Sequence, residues 1–144
     1  MKRWNTMLLI AISVWTLTAC GGGGAGGPVV TDTTPPTISR TAVEPSTLIV
    51  PGTTVVRVEA DVTDDSSGVD AVTVTVVHPD GSTDTKVLAI GSGSTYAVQF
   101  TASWAGNQPG NVRFTVSAQD KAGNVQSAPV VEVRAAAPPP DSPF

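Results

Sequence analysis

From Thr37 onward the chain alternates apolar and polar residues with a period of two. Val56, Val58, Ala60 and Val62 alternate with Arg57, Glu59 and Asp61, and Val72, Val74 and Val76 alternate with Thr73 and Thr75. Tyr96, Val98 and Phe100 alternate with Ala97 and Gln99; Val112, Phe114, Val116 and Ala118 alternate with Arg113, Thr115 and Ser117. Each run is the pattern of a strand with one buried and one solvated face, rich in β-branched residues. No apolar pattern at helical spacing persists long enough to compete.

Turn residues stand where these strands must end. They are Pro51-Gly52, Asp64 to Gly68, Pro79-Asp80-Gly81, Gly91 to Ser94, Gly106 to Gly110, and Asp120 to Asn124. Pro79-Asp80-Gly81 reads as a type I turn with glycine taking the positive φ. Further strands are expected from Ile38 to Val43 (resumed at Leu48 to Val50), at Val87 to Ile90, and around Val130 to Val133. About seven short antiparallel strands with turns this regular predict an all-β, immunoglobulin-like β-sandwich over residues 37–134. In sandwich order the connections alternate between two ends. The incoming chain and the loops 64–68, 91–94 and 120–124 then share one end. The 79–81 turn, the connection carrying Trp104, and the C-terminal tail share the other.

The first residues follow a different pattern. Met1-Lys2-Arg3 is a short positive stretch, and Met7 to Leu17 is an apolar run ending at small residues, too short to span a bilayer. Leu17-Thr18-Ala19-Cys20 resembles the lipobox of bacterial lipoproteins. The resemblance implies a signal peptide over residues 1–19, cleavage before Cys20, and acylation (palmitate among the acyl groups) of that cysteine. Two or more acyl chains hold a protein stably on a bilayer, at about 0.8 kcal/mol per buried methylene. Residues 20–36 read as a flexible Gly/Pro-rich tether, and the Ala/Pro-rich residues 135–144 as a disordered tail. Gly21 lacks the aspartate that marks inner-membrane retention in some Gram-negative lipoproteins, so the outer membrane is the expected location there.

Three motifs carry a second resemblance. Asp-x-x-Pro-Pro-x-Ile at Asp32 to Ile38, Asp-Asp-x-Ser-Gly-Val at Asp64 to Val69, and Ala-x-Asp-x-Ala-Gly-Asn at Ala118 to Asn124 resemble the bacterial immunoglobulin-like or fibronectin-III-like modules of surface proteins. Such modules occur as repeats in adhesins or as accessory domains of exported enzymes. One copy is present in these residues, without a catalytic partner or the Cys–Trp–Cys core of antibody domains.

Charge narrows the partners. Beyond Lys2 and Arg3, six basic and twelve acidic residues remain, a net charge of −6 with no basic cluster. That excludes ordinary nucleic-acid binding. With Cys20, the only cysteine, committed to lipid, no disulfide forms and the fold rests on its core.

Carboxylates gather at the tethered end: Asp32, Asp61, Asp64, Asp65, Asp70 and Asp120, with Asn124. Asp64, Asp65, Asp120 and Asn124 are candidate ligands for calcium, which takes six to eight oxygens from such loops. The alternative is that these residues cap loop backbone N–H groups; the Asp-x-Asp-x-Asp-Gly spacing is absent. His78 is the only histidine, beside Asp80, Ser82 and Asp84, and reads as a solvated turn residue rather than a catalytic base. Trp104 either plugs the open end of the sandwich or offers an aromatic platform to sugar or protein, with plugging the favoured reading. No catalytic set emerges. The sequence therefore predicts a non-enzymatic lipoprotein of the cell envelope, held to a membrane by Cys20 and displaying an interaction module to an unidentified envelope or extracellular protein or glycan. The alternatives are an accessory carbohydrate- or calcium-binding module and, least supported, a small hydrolase.

Overall fold

A computed structural model describes residues 31–103, 108–138 and 140. Cys20, the signal segment and Trp104 lie outside the described residues. The described chain forms ten strands and no helix: β1 (Thr37–Glu44), β2 (Thr47–Ile49), β3 (Thr54–Thr63), β4 (Val69–Val77), β5 (Thr83–Val87), β6 (Ala89–Ile90), β7 (Thr95–Ala102), β8 (Gly110–Asp120), β9 (Val125–Ser127) and β10 (Val131–Ala136). One sheet has the order β1-β3-β7-β6; the other has the order β2-β10-β8-β4-β5, with β9 added alongside β8. Two sheets packed face to face are the sandwich that the alternation predicts.

The inward positions are those the period-two pattern picks out. Val56, Val58, Ala60 and Val62 of β3 face Val72, Val74 and Val76 of β4 and Val112, Phe114 and Val116 of β8, all fully buried in one cluster. Burying each of these valines and Phe114 contributes roughly 1.5–3 kcal/mol. Tyr96, Val98 and Phe100 of β7 are only half-buried, because β7 has a short neighbour on its outer side.

Ten strands replace the expected seven because two runs divide and one strand is added. The first breaks at Pro45: β1 pairs antiparallel with β3, while β2 crosses to the other sheet and pairs parallel with β10. The expected strand at Val87 to Ile90 divides at Leu88. β5 belongs to one sheet and β6 to the other, and Leu88 is buried where the chain crosses. The expected last strand is β10, and β9, which the sequence reading did not expect, is added before it.

Two boundaries also shift. Ala135 and Ala136, read as tail, complete β10, and Ala135 is buried. The end of the expected tether is docked rather than loose, with Pro36 buried and Asp32 bonded to two loops.

Candidate functional site

Four segments meet at one end of the sandwich: the incoming residues 31–36, the β3–β4 loop, the β6–β7 loop and the β8–β9 loop. Backbone bonds hold them there. Lys121 N–H donates to Gly68 C=O at 3.0 Å, and Val62 N–H donates to Ser94 C=O at 2.9 Å. The sharing of one end expected from strand order is therefore realised for the described loops.

Each carboxylate caps local backbone. Asp64 Oδ2 accepts from the N–H groups of Ser66 at 3.1 Å and Gly68 at 2.7 Å. Asp120 Oδ1 accepts from Asn124 N–H at 2.8 Å, and its Oδ2 accepts from the Asn124 side-chain amide at 2.7 Å. Asp32 closes the set. Its Oδ1 accepts from Thr34 N–H at 3.0 Å, its Oδ2 accepts from Ser67 N–H at 3.0 Å, and its backbone carbonyl accepts from the Asn124 amide at 3.2 Å. Residues 32, 64 and 120 thus lie with carboxylate oxygens within 4.8 Å of one another.

Two of these carboxyls sit below the ordinary carboxylate range. For Asp32 the causes are the Thr34 backbone bond, then the Ser67 side chain and backbone, against a smaller opposing effect of burial. For Asp120, burial is the largest influence and pushes upward. Bonds from the Asn124 side chain and from the N–H groups of Asn124, Ala122 and Gly123 together outweigh it. Asp64 differs in one respect: its Oδ1 is buried and accepts no hydrogen bond among the described residues.

The proposed ligand set therefore needs revision. Asp64 and Asp120 converge, but their third partner is Asp32, not Asp65, which is exposed and outside the group. Asn124 points its amide nitrogen, a donor, at Asp120 and Asp32, so it orients carboxylates. Asp61 lies on the outer face of its sheet, accepting from Thr95 Oγ1 at 2.6 Å and pairing with Arg40 at 3.7 Å.

His78 corrects the sequence reading. It is 5% exposed, not solvated, and its Nε2 donates to Asp84 Oδ2 at 3.1 Å. Position 78 continues the inward even-numbered series of β4, which carries the ring under the hairpin. Ser82 Oγ donates to Asp80 instead, at 2.6 Å. The 79–81 turn is as expected, with Gly81 N–H donating to His78 C=O at 2.9 Å. Trp104 and Cys20 lie outside the described residues.

A family profile described as a bacterial Ig-like domain matches residues 36–135. Comparison with curated proteins gives no match.

Proposed function

Because the chain belongs to the bacterial Ig-like domain family, we propose that it is a non-enzymatic interaction module displayed on a membrane surface by lipid on Cys20. The observation that carries this reading is the docking of Asp32. The chain enters the domain at the acidic end and is fixed there by bonds to the 64–68 and 120–124 loops. A lipid twelve residues upstream would hold that end near the bilayer and turn the 79–81 hairpin outward. A coil of twelve residues reaches roughly 20 Å, enough to clear lipid headgroups. The His78–Asp84 pair supports a structural role for the only histidine, since its hydroxyl neighbour Ser82 is engaged with Asp80.

The test is Cys20→Ala in the full chain. Loss of the protein from the membrane fraction and of incorporated labelled palmitate is expected. Unchanged partitioning with unchanged mass would overturn the anchored reading.

A second reading, calcium binding at the acidic end, draws support from the convergence of Asp32, Asp64 and Asp120 and from the buried Asp64 Oδ1 without a donor. An all-oxygen, anionic set suits a hard divalent cation. Such an ion would tie the incoming chain to two loops. Millimolar calcium should then raise the melting temperature and a chelator reverse it; a melting temperature unmoved by either removes this reading.

A further inference from the structure

One part of the sandwich's outer surface stands apart in its chemistry. On the β1-β3-β7 face, Arg40 pairs with Glu59 and Asp61, and Arg57 pairs with Glu59. The β5-β4-β8-β9 face carries hydroxyls instead. Strand register sets Thr85, Thr75 and Thr115 in one row across three strands, and Val87, Thr73, Ser117 and Ser127 in the next across four. Ser117 Oγ and Ser127 Oγ are hydrogen-bonded at 2.7 Å. Neither row holds a charged side chain. The charges of β5 are absent from this face because they point inward: Asp84 is in register with Val76 and bonds His78, while Lys86 is in register with Val74 and lies over the Phe100 ring. A third row, Ala71–Gln119–Val125, borders a shallow depression of about 110 Å³ that Thr73 and Ser117 also line. It exists because Ala71 is small among larger neighbours.

Strand propensity favours threonine at outward positions, but it applies equally to the other face, which is ion-paired. Three physical limits define what the hydroxyl face fits. Three strands about 4.8 Å apart over five or six residues each, with the three residues of β9 alongside, make roughly 300 Å², well under half of what each partner of a stable protein dimer buries. Neighbouring strands rotate by about 20–25°, so the face does not match a flat crystalline surface. Neither row holds a cation, and the nearest one on this face, Arg113 in the row beyond Thr115, stands in register with Glu132, so an anionic polymer finds no unopposed positive charge there. A narrow, neutral chain rich in hydroxyls meets all three limits. Serine and threonine hydroxyls both donate and accept, as sugar hydroxyls do, and the exposed methyls of Val87 and Val125 offer packing to sugar C–H groups.

The geometry points to the β5-β4-β8-β9 face as a binding surface for a single strand of neutral polysaccharide, with one sugar ring over the Ala71 depression. This deepens the interaction-module reading and does not depend on the lipid. The test is nuclear magnetic resonance titration of the nitrogen-labelled full chain, in a sugar-free zwitterionic detergent, with neutral hexasaccharides of glucan, mannan and chitin type and with an anionic oligogalacturonide. Millimolar neutral sugar should shift the amides of Thr73, Thr75, Thr85, Thr115 and Ser117, and the anionic sugar should not. Thr75→Val with Thr115→Val, near-isosteric at both sites, should weaken binding about tenfold, the loss of two neutral hydrogen bonds. Thr101→Val on the opposite face should leave it unchanged. No shift with any neutral sugar, shifts confined to other surfaces, preference for the anionic sugar, or concentration-dependent shifts of these amides without sugar (a second copy) would each overturn the proposal.

Discussion

Asn124 holds both carboxylate oxygens of Asp120, reaching one with its backbone N–H at 2.8 Å and the other with its side-chain amide at 2.7 Å. The same amide bonds the Asp32 carbonyl at 3.2 Å, so one side chain joins the β8–β9 loop to the first residues of the domain. Loop conformation, chain entry and acidic clustering at this end all depend on that asparagine.

Acid should act through this joint. The Asp32 and Asp120 carboxyls are both held below their ordinary values, so the unfolded chain takes up their protons more readily than the folded one. Their contribution is present above the ordinary carboxylate range and is lost as pH falls through the lower folded values, below about pH 4. Urea midpoints followed across that window should fall for the native protein and fall less for Asp120→Asn. That variant should also melt several degrees lower at neutral pH, because its new amide faces the Asn124 amide. An equally steep acid limb in the variant would contradict the assignment.

Gly110 is required by space. A Cβ there would lie 2.8 Å from the Pro79 Cβ, closer than carbon atoms pack. Gly110→Ala should cost about 1–3 kcal/mol in urea unfolding. Pro79→Gly in the same chain should restore part of that loss, a non-additivity read by a double-mutant cycle. Strict additivity would place the strain elsewhere.

Phe114 is the largest fully buried side chain among the described residues. Phe114→Ala should cost about 3–5 kcal/mol, a large share of the stability of a small domain. Limited proteolysis should then cut β8 at temperatures where the native protein resists.

Lys86 guards a sheet edge. Among the described residues β6 pairs only with Tyr96 and Ala97 and no strand neighbours the outer side of β7 beyond them, and Lys86 Nζ lies 5.9 Å from the Phe100 ring centroid there. Charges pointing inward at an edge deter strand addition. Lys86→Val should leave the melting temperature nearly unchanged and increase self-association in light scattering. A variant that stays monomeric at high concentration would show that the edge is protected by other means.

Much of the fold was legible because β3, β4 and β8 obey strict alternation, with Val56, Val74 and Phe114 inward as read. β5 was not legible, since its inward residues are Asp84 and Lys86, and an edge strand can turn charges inward while they stay partly in water, as a central one cannot. His78 was misread because turn chemistry at Pro79 obscured the even-numbered series that continues one residue further. At the acidic end, Asp64 and Asp120 announced themselves through loop motifs. Asp32 stood among the acidic residues but not among the ligand candidates, because its contact with Asn124 spans 92 positions and no local pattern encodes it.

The entry of the chain at Asp32 has a mechanical consequence. β1 runs from that end along the length of its antiparallel ladder with β3. A pull on the incoming residues therefore acts along the strand. It loads the backbone bonds of the β1–β3 ladder together, in shear, after the clasp of Asp32 on Ser67 and Asn124 has given way. Sequential peeling would need a pull across the strand. In a protein tethered through its first residues and gripped from its far side, the fold would then resist drag as a bolt does rather than as a zip, and single-molecule pulling from the N-terminus should record one abrupt rupture.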